Sequence, residues 1–409
     1  MSRLIAVLAV AALFGAAVWF GLGPGANPPL ADCSAVPVTS AASEGPIPPE
    51  DVPTVRWTIA TLPPHVLSPD EQILYAVASF RGGFVAVGST WSLATADYGA
   101  LLLASPDGQR WTANAIEAGR LRGTEFHSLR VVGDRLFALG ATTTDDRGGS
   151  RGALWFTDDG RTWTEAVGDF EDHALSTIAG GPDGLLLLGS TTMEPAPTAW
   201  RSSDGSSWNQ QSVQLPVPAS QASLRVLTTV PGGWMALGSI AGGGRAAPIE
   251  WRSTDGVRWT CQRLDAAEYP VAQPVGLQET DSTRLATGTA STACGPMASC
   301  VGYGIAWTSS DGRPWEAAMT EEVPISGGGM AFASTRDRFI AVGHDATWVS
   351  RSGRVWVEAR DDGRSEALEV QPDGLTATAD GGTLVAVGTA YEEDDRDPWI
   401  AVGEIVGGH

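Results

Sequence analysis

The stretch Trp200-Arg-Ser-Ser-Asp-Gly-Ser-Ser-Trp208 constrains this chain more than any other, because it returns at intervals. Copies with the spacing Ser/Thr-x-Asp-Gly-x-x-Trp end at Trp111, Trp163, Trp259 and Trp315, and place Asp107, Asp159, Asp255 and Asp311 where this one has Asp204. A further copy ends at Trp356 and carries Ser352 instead of the acid. A leading aromatic stands eight residues before the closing Trp at Trp155, Trp200, Trp251, Trp307 and Trp348; the first copy has Leu103 there. Asp-Gly between apolar runs signals a hairpin. A two-residue loop would pair Arg201 with Trp208. A three-residue loop, a type I turn with Gly in the left-handed region, pairs Trp200 with Trp208 and stacks two indoles across the strands. The second is the expectation, with Ser and Asp oxygens serving the turn N–H groups.

A second marker counts the repeats. A short apolar strand ends in Gly88, Gly140, Gly189, Gly238, Gly288, Gly343 and Gly388, seven times at spacings of 45 to 55 residues. That period suits four-stranded propeller blades. Each repeat reads as four strands, with the Gly marker on the second and the two tryptophans on the third and fourth. The last repeat lacks a box. Its fourth strand is expected from Thr54–Ala60, with Trp57 in the closing-Trp position. The expected fold is therefore all-β: a seven-bladed β-propeller of four-stranded antiparallel blades, closed three-plus-one by an N-terminal strand.

The boxes resemble the Asp-box (BNR) repeat, usually written Ser/Thr-x-Asp-x-Gly-x-x-Trp; the copies here are one residue shorter. The resemblance implies a sialidase-superfamily fold and a structural hairpin away from any active site. It says little of activity. Sialidases of that family use an early Phe-Arg-Ile-Pro motif, three Arg, an Asp acid and a Tyr–Glu pair. Here Phe80-Arg81 runs into Gly82-Gly83, and none of the five tyrosines matches a Tyr–Glu placement. No catalytic residue carries over.

Residues 1–23 hold an apolar run, Leu4–Leu22, behind Arg3, and read as a signal peptide or a membrane-anchoring helix. Residues 24–53 are rich in Pro, Ala and Ser and read as a tether, leaving 54–409 for the propeller. Either reading of the front end exports the rest of the chain, secreted or held at the cell membrane. Leu30-Ala-Asp-Cys33 looks like a lipidation box, with Asp32 a poor residue before the Cys. Cys294 and Cys300 share a loop and are a disulfide candidate, while Cys33 and Cys261 could pair or stay free. A net charge of −21 argues against nucleic acid and anionic membrane surfaces as partners. Every basic residue is Arg, which excludes Lys chemistry.

Strand alternation puts the boxes on one face. The loops between second and third strands, and the connections between repeats, lie on the other, and this loop face is where binding is expected. Its candidates are Trp91, Asp97, Tyr98, Asp145, Arg147, Arg151, Tyr391 and Asp394. Acidic residues 392–395 offer oxygens for calcium but no ligand spacing. His127 and His173 align between adjacent repeats and, with Glu125 and Asp172, sketch a metal or acid–base cluster; repeat similarity explains them more simply. No cofactor motif is present, and no metal site is assigned. The expected function is an exported scaffold that binds a protein or glycan partner. The alternative is an extracytoplasmic glycoside hydrolase of the Asp-box type.

Overall fold

The computed structural model describes residues 33–35, 52–63, 71–92, 97–114, 121–143, 150–193, 196–266, 269–291, 302–310, 313–318, 330–363, 369–378, 380–392 and 395–407. These residues are nearly all strand; one 3-10 turn, Ala219–Gln221, interrupts them. No helix among them is long and apolar enough to cross a membrane, and the apolar run of residues 1–23 lies outside them.

The strands form antiparallel sheets that run in chain order from an inner to an outer strand, as in a β-propeller. The second sheet is representative: Thr124–Val132, Arg135–Thr143, Ser150–Thr157 and Thr164–Glu165. The inner strands are Glu71–Phe80, Thr124–Val132, His173–Gly181, Ala222–Val230, Val271–Glu279, Ala331–Ser334 and Glu369–Ala377. Each lies against the next, and Glu369–Ala377 lies against Glu71–Phe80. The fourth and fifth sheets join through a parallel contact between Ala246 and Val271. In the last sheet, Thr54–Ile59 pairs antiparallel with Asp395–Val406, with Trp57 opposite Gly403 and Ile59 opposite Ala401.

The second and third strands are buried along most of their length rather than alternately, so each sheet has two faces to cover. The cores accordingly lie between sheets. Leu136, Ala138 and Trp155 of the second sheet pack on Val85, Val87 and Leu102 of the first. Val385, Val387 and Ile400 of the last pack on Leu74, Leu103 and Trp111 of the first.

The box hairpin differs from expectation. Trp200 pairs with Gln210 and Arg201 with Asn209, so neither short loop forms and Trp208 lies inside the turn. The reason is side-chain closure. Ser202 Oγ accepts from Gly205 N at 2.7 Å, and Asp204 Oδ1 accepts from Ser206 N and Ser207 N at 2.8 and 3.0 Å. The Trp208 indole then folds back and donates to the Gly205 carbonyl at 3.1 Å. Asp107, Asp159 and Asp255 bind their turns in the same way. Ser352 accepts from Arg354 N at 3.2 Å. Asp311 lies outside the described residues. The box also touches the preceding sheet: Arg201 of the third sheet donates to the Asp255 carbonyl of the fourth at 2.7 Å.

The Gly marker has a steric cause. A Cβ at Gly88, Gly140 or Gly238 would stand 1.8 Å from the carbonyl oxygen of Ile73, Glu125 or Ser223 on the inner strand. Two residues beyond that oxygen the inner strand takes in one extra residue. These bulge residues are Tyr75, His127, Ser176, Arg225, Val275 and Asp373. The sixth sheet pairs only from Ala331 onward and shows no such shift.

Cys33 is disulfide-bonded to Cys261, with 5.6 Å between Cα atoms, and Ser34–Ala35 run parallel to Gln262–Arg263 at the outer edge of the fourth sheet. The bond occupies the Cys33 sulfur, so the lipidation-box reading of Leu30–Cys33 is set aside. Cys294 and Cys300 lie outside the described residues.

Candidate functional site

Each bulge sits at or just before the middle of its inner strand, opposite the middle of the second strand, with the half of the strand that leads from the loop face before it. An extra residue in an edge strand re-aims a side chain. Here the re-aimed residues include a Tyr, a His, an Arg and an Asp.

Those on the last, first and second sheets form two linked polar groups, which meet where the Asp373 charge acts on Tyr75. Tyr391 donates to Gln371 Oε1 at 3.1 Å, and Gln371 Nε2 donates to Asp373 Oδ1 at 3.2 Å. Ser89 Oγ donates to the Tyr75 hydroxyl at 3.4 Å. The Tyr75 ring stands 5.3 Å from the His127 imidazole, and His127 Nε2 is 3.2 Å from Glu125 Oε1. The Arg396 guanidinium lies 5.9 Å from the Tyr391 ring centre.

The electrostatics follow from enclosure. Burial pushes the Asp373 carboxyl up to about 6, against the pull of the Gln371 hydrogen bond. Burial also raises the Tyr75 hydroxyl, and the negative charges of Glu125 and Asp373 add to the push. Tyr391 is raised by burial, with Arg396 pulling the other way. The cluster therefore offers hydroxyl, amide and carboxyl groups beside aromatic rings, with one carboxyl able to hold a proton in the mildly acidic range.

The expected site residues distribute unevenly. Tyr391 belongs to the cluster. Trp91 pairs with Glu71 and Tyr98 at the loop-face end of the first sheet, and Asp97 pairs with Ser92. Arg151 forms an ion pair with Glu165 at 2.7 Å. Asp145, Arg147 and Asp394 lie outside the described residues. The two histidines are not equivalent. The ladder sets His173 opposite Thr191, where the second sheet has Thr124 opposite Thr142. The counterpart of His127 is Ser176, because both are bulge residues. His173 packs edge-on against Trp200, at 5.0 Å between rings, and its Nδ1 meets the Glu171 carbonyl. Among the described residues no three His, Cys, Asp or Glu side chains are grouped as a metal site would require.

Sequence reasoning missed Tyr75, Arg225 and Asp373. The signal was present: Tyr75, His127, Ser176, Arg225 and Val275 each stand 13 residues before their Gly marker. Asp373 stands 15 before Gly388, because the turn after its strand is longer.

No known family and no curated protein matches the chain. Solved structures do. The β-propeller domain of the Trilobed protease from Pyrococcus furiosus is 9% identical over 83% of this chain and 96% of that one, with a TM-score of 0.47. An α-L-arabinofuranosidase from Fusarium graminearum is 10% identical over 81% and 93%, with a TM-score of 0.44. The endosialidase of phage phi92 is 9% identical over 86% and 69%, with a TM-score of 0.47. At these values the activities of those proteins say nothing of this one, and the fold reading rests on this chain's own strands.

Proposed function

We propose that the protein is an exported, seven-bladed β-propeller that binds a protein or glycan partner at the loop-face mouth of its central channel. The observation that carries the binding role is the polar cluster of the bulge residues Tyr75, His127 and Asp373 with Tyr391, which reaches Asp373 through Gln371. Hydroxyl, amide and carboxyl groups beside aromatic rings suit sugar hydroxyls and ring faces, or the polar groups of a protein loop.

Ring closure by Thr54–Ile59 is part of the proposal. Its support is the register: Trp57 stands two residues before the partner of Ala401, as Trp163 stands two before the partner of Trp155. Residues 1–23 act as leader or anchor and 24–53 as tether. The Cys33–Cys261 bond supports an oxidising, extracytoplasmic setting. While it is intact, the tether runs only from residue 24 to 32.

The test is binding of purified protein to intact cell envelope and to a glycan array. Asp373→Asn and Tyr391→Ala should each weaken capture at least about tenfold, the loss of one or two good polar contacts. Unchanged capture would sink the assignment of this face.

A second reading has its own support. A carboxyl that holds its proton to about pH 6, with Glu125 as a second carboxylate in the same cluster, is the composition a glycoside hydrolase needs. Turnover of fluorogenic glycosides, abolished by Asp373→Asn, would replace the scaffold with the enzyme.

A further inference from the structure

Two arginines on the inner strands meet no acid among the described residues. Arg225 is the bulge residue of the fourth inner strand; its Nε donates to Ser223 Oγ at 3.2 Å, and no described side chain pairs with its charge. Arg130 lies three residues beyond the His127 bulge on the second inner strand and donates from Nη1 to the Leu129 carbonyl at 3.0 Å. It too makes no ion pair among the described residues. Neither lack reflects a shortage of acids, since the chain holds 47 Asp and Glu. Elsewhere Arg135, Arg151, Arg284 and Arg354 each meet a carboxylate. Arg225 is half-buried, and that burial lowers its pKa, whereas Arg130 is exposed. Taking even part of a cation's surface out of water favours an anionic partner for it.

The position adds a second argument. Arg225 occupies the ladder place held by Asp373, Tyr75 and His127 on the other side of the ring. The intervening third strand puts the Ser176 hydroxyl in that place. The ring is therefore polarised: the bulge residue Asp373 and Glu125, the ion-pair neighbour of the His127 bulge, stand on the last and second sheets, and Arg225 with Ser176 on the fourth and third. A guanidinium fork with a hydroxyl at the matching place on the neighbouring inner strand is a donor set for an oxyanion.

We propose that the channel binds an oxyanion, a carboxylate or phosphate, on Arg225, with Ser176 as a donor and Arg130 as a second cation further along the channel. The site deepens the binding role proposed above but stands on its own residues. A ligand with hydroxyls toward Asp373 and an anionic group toward Arg225 would use both sides of the ring.

The experiment is calorimetry and thermal unfolding of the full-length protein in chloride, in inorganic phosphate and in glucuronate at one ionic strength. Saturable heats should appear for phosphate or glucuronate and fall at least about tenfold in Arg225→Met, the loss of a charge-assisted pair. In chloride alone Arg225→Met should melt no lower than the wild type, because it keeps the apolar stem and sheds a half-buried charge that meets no acid among the described residues. Glucuronate bound more tightly than phosphate assigns the anion to a glycan; equal binding assigns it to the free ion. Phosphate that raises the melting temperature of both proteins equally, with no saturable heat, overturns the proposal, since that is general salt stabilisation. Should Arg225→Met fail to fold, Arg225→Gln serves, and wild-type protein without saturable heat for either anion overturns it alone. Anion binding that survives in Asp373→Asn while partner capture is lost separates this site from the binding role.

Discussion

Replacing Trp57 with Ala tests how the two ends of the chain meet. The side chain is 3% exposed and packs among Ile340 and Val349 of the sixth sheet and Leu384 and Ala401 of the last. Its indole donates to Thr347 Oγ1 at 3.3 Å, and that hydroxyl donates on to Asp361. Burying a Trp removes roughly 150–250 Å², worth about 4–6 kcal/mol as an upper bound. Measured Trp-to-Ala costs in cores are about 3–5 kcal/mol, so that is the expected loss. Chemical denaturation gives the total, but a total does not locate the damage. Trp208 is the control, since it is 5% exposed and fills the same place in a box within the ring. Native-state amide exchange then separates the two. In Trp57→Ala the opening free energy of amides from Ala401 to Ile405, which pair with Thr54–Ile59, should fall by most of the same 3–5 kcal/mol. In Trp208→Ala those amides should keep wild-type protection relative to the global limit. Full protection of Ala401–Ile405 in Trp57→Ala would refute the idea that Trp57 holds this pairing shut.

Further outcomes follow from the same geometry. Asp373 is raised in the fold, from 3.8 to about 6, so its contribution is complete below pH 3.8 and is lost as pH rises through about 6. Denaturation across that window should show a falling limb that Asp373→Asn flattens. Asp159 has the opposite sign: hydrogen bonds from Thr162 N and Arg161 N hold it down at about 2, so its contribution is present above 3.8 and lost as pH falls through about 2. Asp159→Asn should remove a small acid-side loss. Cys33→Ser should lower stability by about 2–5 kcal/mol, and reductant should reproduce the effect in wild-type protein but not in the variant.

The repeating plan was legible because it depends on short-range chemistry. Asp-Gly turns, apolar strands ending in Gly and a 45 to 55 residue period each have a local cause. Turn length was not legible, because Ser202, Asp204 and Trp208 close the turn with side chains, and ladder rules count only backbone pairs. The histidine alignment failed for a related reason. Matching Glu-x-His with Glu-Asp-His compares sequence neighbours rather than ladder partners and slips the strands by three residues: His127 stands 13 before Gly140, but His173 stands 16 before Gly189. The anchor point of the tether was hidden because sequence alone leaves the Cys33 pairing open, and only the packing of Cys33 beside Trp251 and Trp259 settles it. Arg225 and Asp373 stood in inner strands that read as ordinary core, and nothing in their own neighbours marks them. What marks them is distance from a glycine on the next strand.

That distance links the fold to the site and can be broken at one atom. A Cβ on Gly238 would stand 1.8 Å from the Ser223 carbonyl oxygen, a backbone atom that cannot move without the inner strand. Ser223 is already committed twice: its carbonyl accepts from the Trp251 indole at 3.2 Å, and its Oγ accepts from Arg225 Nε. Pushing Ser223 away would weaken the Trp251 hydrogen bond and displace Arg225 together. Gly238→Ala should therefore lose about 1–3 kcal/mol or more through overpacking, and it should lose the oxyanion response although Arg225 is intact. Gly244→Ala is the counterpart. Gly244 has φ +72° but nothing within 4 Å of an added Cβ, so it should cost about 1 kcal/mol from backbone strain and leave the anion response unchanged. Gly238→Ala with wild-type stability and anion affinity would show that the bulge forms without the glycine. The spacing that places Arg225 would then be incidental to the site.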